Sequence, residues 1–341
     1  MHNSLRSRGR RGDRERTAAG TGQRGTGTTQ RGAGTGRRGA RTGQRRSRAG
    51  LAAVTAAVLA GTGLLAGCDS LGGASPDAAA KRTSPSPRPT PVWDRSPSSV
   101  AAVGDSITRG FDACVVLADC PEVSWSTGTD AEVRSLSLRL LGAPAVKQRS
   151  WNLAATGARM SDLPGQMAQA AQHAPELVTV MVGANDACRD SPKQMTSVDD
   201  FRTSFEASMR QLRAGAPKAQ VYVSSVPDLK RLWSTGRGNP LGRQIWKLGI
   251  CASMLGDSQD MSERAQRRRD QVYERVVAYN KVLGEVCAKD LRCRYDGGAV
   301  FDYRFTGEQL SHWDWFHPSK NGQSRLAEIA YRNITAVNPP A

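Results

Sequence analysis

Residues 99–110 read SVAAVGDSITRG: a short apolar run, then Gly104, Asp105 and Ser106, then a polar segment closed by Gly110. A run this short, bounded by glycine, reads as a strand that ends in a polar loop. It sets a serine directly after a strand, with a small residue on the near side where a tight turn is needed.

Four further runs share the design: QRSWNLAA at 148–155, ELVTVMVGAND at 176–186, AQVYVSSVPD at 219–228 and LRCRYDGG at 291–298. Amphipathic segments lie between them. In the clearest, Val272, Val276, Tyr279, Leu283 and Val286 recur at steps of four, three, four and three, one face of a helix packed on a core. Strands alternating with helices predict a parallel sheet covered on both sides, with ligands bound beyond the carboxyl ends of the strands. The polar residues that end each run are therefore the candidate site.

Taken alone, a serine after a strand is more often a helix cap than a nucleophile. Three other segments change that reading: Asn152–Gly157 within NLAATGA, Gly183–Asp186 as GAND, and Asp314–Ser319 as DWFHPS. Together with GDSITRG they stand in the order and separations of the four blocks of the SGNH/GDSL hydrolases, which this sequence resembles over about residues 100–335. The resemblance implies a three-layer α/β/α, flavodoxin-like fold on a central parallel five-stranded sheet. It also implies a serine esterase in which Ser106 is the nucleophile, His317 its general base and Asp314 the partner of the imidazole. The backbone N–H groups of Ser106 and Gly157 and the side-chain amide of Asn185 would form the oxyanion hole.

The chemistry explains the residue types. Ester cleavage needs a nucleophile, a proton shuttle and donors for the oxyanion. Asp314 stands three residues before His317, a spacing that in a helical turn puts both on one side; capping the last helix is its alternative role. His2, His173 and His312 lack a comparable block. Asp105 and Asp186 flank the site but would oppose an oxyanion if charged, so they read as acceptors that organise the loops. Six tryptophans, Trp125, Trp151, Trp233, Trp246, Trp313 and Trp315, read as core or pocket lining.

The net charge of +17 is unevenly spread: residues 1–50 carry 14 Arg, no Lys and two acidic residues. A basic, Gly/Thr-rich leader without apolar periodicity builds no folded nucleic-acid module, and no nucleic-acid partner is expected. Residues 51–68, LAAVTAAVLAGTGLLAGC, follow Arg45, Arg46 and Arg48 in the order of a secretory signal. They end in LAGC, which resembles the bacterial lipobox, so Cys68 would be lipidated and the mature chain would begin there. The long leader fits either a downstream start or an extended export tail, and the arginine pair leaves Sec and twin-arginine export both open. Residues 69–99 are rich in Pro and Ser and read as an extended tether. The hydrolase domain would occupy 100–337.

Beyond Cys68 the chain has Cys114, Cys120, Cys188, Cys251, Cys287 and Cys293, an even set suited to an oxidising compartment. Cys114 with Cys120 and Cys287 with Cys293 close short loops, leaving Cys188 for Cys251. No metal and no cofactor are expected, since the spacings are not those of zinc ligands. The expected protein is a monomer, lipid-anchored at the outer face of the cell membrane, acting on a small ester, an acyl lipid or an acylated glycan. Acyl transfer, or glycan or lipid binding without catalysis on the same fold, are the alternatives.

Overall fold

The structure, a computed structural model, describes residues 92–338. The leader, the signal segment, Cys68 and the tether as far as residue 91 lie outside the described residues.

Strands β1 (Val100–Gly104), β2 (Ser150–Asn152), β3 (Leu177–Met181), β4 (Gln220–Val223) and β5 (Cys293–Tyr295) form one sheet in the order β2-β1-β3-β4-β5. Every pairing is parallel, and Val100 stands opposite both Ser150 and Leu177. Each strand falls inside one of the five predicted runs. All residues of β1, β3 and β4 are buried, as the continuous apolar runs require of a sheet covered on both faces.

The strand order dictates the layers. The step from β1 to β2 moves one way along the sheet, and every later step moves the other way. Right-handed crossovers then place the helices Leu136–Leu141 and Ala143–Arg149 on one face and Leu163–Gln172, Val198–Gly215 and Glu263–Cys287 on the other. The packing follows: Leu163–Gln172 and Glu263–Cys287 both lie against Val198–Gly215, while the last helix, Lys320–Thr335, lies against Leu136–Leu141. This is the three-layer α/β/α fold. The reversal of strand order at β1 and β3 opens a crevice beyond their carboxyl ends.

The long helix Glu263–Cys287 starts at Ser262, whose side chain accepts the Ala265 N–H. Val272, Val276, Tyr279, Leu283 and Val286 are all buried on it, as the spacing predicted. Asn280 shares that buried face for a different reason. Its Oδ1 accepts the Val226 N–H at 2.8 Å and its Nδ2 donates to Val226 O at 3.1 Å, satisfying the loop after β4.

Disulfides join Cys114 to Cys120, Cys188 to Cys251 and Cys287 to Cys293. The second ties the turn after β3 to a residue 63 positions on. The third ties the end of the long helix to the first residue of β5.

One boundary differs from the sequence reading, which carried the tether to residue 99. Trp93 donates its indole N–H to Ile334 O at 2.9 Å, and the Arg294 guanidinium lies 4.4 Å over its ring. The Asp94 N–H donates to Gln220 Oε1 at 2.6 Å. The Pro/Ser composition of the segment masks one tryptophan, whose apolar area is enough to dock the chain on the domain. Among the described residues no helix is long and apolar enough to cross a membrane.

Candidate active site

Gly104 ends β1 with φ +148°, and a Cβ there would stand 2.1 Å from Met181 O. Only glycine lets β1 and β3 close to this distance. Gln166 clasps the same peptide, accepting the Gly104 N–H at 2.7 Å and donating to Gly104 O at 3.0 Å. Asp105 then caps the one-turn helix Ser106–Arg109, its Oδ1 accepting the Ile107 N–H at 3.0 Å. The cap belongs to Asp105, so the Ser106 side chain is free for other work.

Ser106 Oγ lies 2.9 Å from His317 Nε2, and His317 Nδ1 lies 2.5 Å from Asp314 Oδ2. Ser106 is 6% exposed, His317 9% and Asp314 1%, so this chain of contacts is largely screened from water. Asp314 does not reach His317 through a helical turn, as the spacing suggested. Residues 311–319 form a tight irregular loop in which Asp314 Oδ1 accepts the N–H groups of both Phe316 and His317. An aspartate turn and a helix share the same residue spacing. The alternative role also falls away: Ser319, not Asp314, caps Lys320–Thr335 by accepting the Gly322 N–H.

The loop is braced from behind. Trp246 donates its indole N–H to Asp314 O at 2.7 Å, and the Ser311 N–H donates to His317 O at 2.7 Å. Trp315 has a left-handed φ of 55°, a strained conformation for a tryptophan, and its side chain packs on Gly242. Phe111 and Phe316 flank the imidazole with ring centroids 5.0 and 5.2 Å away.

Gly157 follows β2 with φ +83°, exposed, and with no atom within 4 Å of where a Cβ would be. Asn185 follows β3, and one of its two amide N–H bonds goes to Ala158 O at 3.0 Å, leaving the other to donate elsewhere. The Asn152 side chain donates to Thr108 O at 2.9 Å, joining the end of β2 to the serine turn. Asp186 Oδ2 accepts the Met160 N–H at 2.9 Å. Both flanking aspartates are thus acceptors that organise loops.

The electrostatics follow from burial and pairing. Burial lowers the affinity of His317 for a proton, but the Asp314 carboxylate, helped by Asp112 and Asp105, outweighs it and holds the imidazole above its usual value. Burial pushes Asp314 up, yet the imidazole and the two backbone N–H groups leave it below the usual carboxylate range. Asp105 is raised to about 7, chiefly by burial, and Asp186 is raised for the same reason.

Ser106, His317 and Asp314 are thus brought together, with Gly157 on the loop beyond β2 and Asn185 in the one-turn helix Ala184–Ala187 beyond β3. His173 stacks on Trp151 at 4.6 Å and His312 is exposed beside Trp313. The sequence names Trp246 as core or pocket lining but gives no sign of its bond to Asp314, and Asp112 has no signal beyond its place six residues after Ser106. A cleft of about 480 Å³ lined by Glu176, Lys218, Gln220 and Arg292 lies at the amino ends of the strands, away from this chemistry.

The family model described as GDSL-like Lipase/Acylhydrolase matches residues 100–330. No curated protein matches the sequence. Among solved structures, a candidate GDSL-like lipase from Parabacteroides merdae is 16% identical, with a TM-score of 0.44 over 73% of this chain and 100% of that one. An extracellular lipase from Streptomyces rimosus is 17% identical, with a TM-score of 0.40 over 70% of this chain and 100% of that one. A family 3 carbohydrate esterase from Clostridium thermocellum is 14% identical, with a TM-score of 0.41 over 69% and 93%.

Proposed function

The chain belongs to the GDSL-like lipase/acylhydrolase family, an ester-hydrolysing family, and we propose that it cleaves carboxyl esters by a Ser-His-Asp mechanism through an acyl-enzyme. The observation that carries this reading is the continuous relay from Ser106 Oγ through both imidazole nitrogens to Asp314 Oδ2, at 2.9 and 2.5 Å.

In this mechanism Ser106 Oγ attacks the ester carbonyl as His317 Nε2 takes its proton. Asp314 holds the tautomer with Nδ1 protonated and stabilises the imidazolium that forms. The carbonyl oxygen becomes an oxyanion, met by the N–H groups of Ser106 and Gly157 and the free amide N–H of Asn185. Collapse expels the alkoxide, which takes the proton from His317. Water, activated by the same imidazole, then releases the acid and restores Ser106.

The substrate classes consistent with this chemistry are small esters, acyl lipids and acylated glycans. The test is release of p-nitrophenol from esters of increasing chain length by the disulfide-intact protein beside Ser106→Ala. Loss of at least a thousandfold in the variant is expected, and equal release by both would overturn the reading.

We also propose that the enzyme is exported and held at the outer face of the membrane by lipid on Cys68. The support is the sequence alone: charged residues, an uncharged apolar stretch, then LAGC. Cys68→Ser should move the protein from the membrane fraction to the medium, and retention in the membrane would refute the anchor.

A further inference from the structure

Asp112 is a buried carboxylate that the mechanism above does not use. It is 1% exposed and sits in a left-handed conformation, φ 57°, which aspartate tolerates better than most residues. Three contacts fix it there. Its N–H donates to Ala118 O at 3.1 Å, its Oδ1 accepts the Leu117 N–H, and its carbonyl accepts the Ser311 hydroxyl at 2.7 Å. The Cys114–Cys120 disulfide closes the loop that supplies Leu117 and Ala118. Asp119 of the same loop pairs with Arg109 at 3.0 Å and accepts the Thr156 hydroxyl at 2.5 Å, tying the loop to the serine helix and to the Gly157 turn.

This scaffold aims the carboxyl at the relay. One oxygen or nitrogen each from Asp112, Asp314 and His317 lies within 4.8 Å of the other two. Asp314 has both oxygens engaged by Phe316, His317 and the imidazole. Asp112 Oδ2 is buried with no hydrogen-bond partner at all. An unpartnered buried carboxylate oxygen is costly and needs a compensating charge or a proton.

We propose that Asp112 is a positioning residue of the active site, a second buried carboxylate that acts on His317 alongside Asp314 and sets how readily the imidazole takes the serine proton. The proposal rests on the catalytic reading above. The charged groups facing His317 are Asp314 on its own loop, Asp112 on the disulfide loop and Asp105 at the serine turn. Burial, and then the neighbouring Asp314 charge, push Asp112 up to about 6 against the pull of the Leu117 N–H. Asp112 therefore becomes neutral as the pH falls through 6, and its support of the imidazolium falls with it.

The experiment is the pH profile of kcat/KM for the wild-type protein and for Asp112→Asn, with active sites counted by a fluorophosphonate probe. Without the carboxylate the imidazolium is less stable, so the free base persists to lower pH. The acid limb should move down by about one pH unit, with a lower alkaline plateau in kcat and a nearly unchanged KM. A profile superimposed on wild type at full site count would overturn the proposal. The His317 ring resonances of the wild-type protein give a second measure that needs no variant. They should show a second inflection where Asp112 titrates, and a ring titration that stays single-step when carried down through the carboxylate range would also overturn it. Failure of the catalytic reading is distinguishable, because it shows as hydrolysis that survives Ser106→Ala.

Discussion

Replacing Asp105 with Asn should change stability with opposite sign at the two ends of the pH range. Asp105 is buried, its Oδ1 accepts the Ile107 N–H at 3.0 Å, and its Oδ2 is buried without a partner. Burial raises the carboxyl from 3.8 to about 7, against the pull of the Ile107 N–H and His317. The folded protein thus keeps a proton that the unfolded chain releases near 3.8. That contribution is complete below 3.8 and is lost as the pH rises through 7. At about 1.4 kcal/mol per pH unit, the loss reaches roughly 4 kcal/mol above the folded value. Asparagine keeps the cap oxygen and carries no charge, but its NH2 faces a space with no acceptor, which costs about 1–3 kcal/mol. The variant should therefore be less stable than wild type at pH 4, by about that cost, and more stable at pH 8 by about 1–3 kcal/mol. Urea denaturation followed by tryptophan fluorescence, disulfides intact, measures both. A variant-minus-wild-type difference that stays constant between the two pH values would refute the reasoning.

Three further outcomes follow from named contacts. Asn185→Ala removes the proposed oxyanion donor and leaves Ala158 O unpaired, so kcat should fall about 10²- to 10³-fold with KM little changed, read by steady-state kinetics. Gly104→Ala sets a Cβ 2.1 Å from a backbone oxygen at a positive φ, so the protein should lose about 3 kcal/mol or more by denaturant titration and bind fluorophosphonate poorly. The paired change Cys188→Ser with Cys251→Ser opens a loop of 63 residues, worth about 4 kcal/mol by chain entropy, whereas Cys287→Ser with Cys293→Ser opens six, worth about 2 kcal/mol; thermal melts should rank them in that order.

The strands were legible because each is a short apolar run between punctuating residues, and burial on both faces leaves little room for other patterns. The candidate site residues are legible for a related reason: they stand where those runs end, so the parallel sheet brings Ser106, Gly157 and Asn185 to the carboxyl ends of its strands. What stayed hidden has no period. Asp112 lies in a loop whose shape is set by a disulfide and a backbone hydrogen bond from Leu117, neither of which leaves a pattern in the sequence. Trp246 reaches Asp314 from a separate helix, 68 residues away. Trp93 was lost within a Pro/Ser-rich stretch. The turn at Asp314 was misread because residues three apart meet in a helix and in an aspartate turn alike.

The three aspartates around His317 show how one residue type is divided among roles by its hydrogen bonds. Asp314 has donors on both oxygens and stays charged despite burial. Asp105 and Asp112 each have one satisfied and one orphaned oxygen, and both are pushed up, to about 7 and about 6. Near neutral pH Asp314 is charged and Asp112 mostly so, while Asp105 keeps much of its proton, so the negative charge lies on the two carboxylates beside His317, where an imidazolium would form. Asp105, next to the serine N–H that would meet the oxyanion, is the first of the three to become neutral as the pH falls. A carboxylate held fully charged there would oppose the same charge development that the serine turn is placed to stabilise. The orphaned Oδ2 of Asp105 costs stability at alkaline pH and lowers the local negative charge at the oxyanion end, so the alkaline stability gain in Asp105→Asn and any gain of rate in it would share one physical origin.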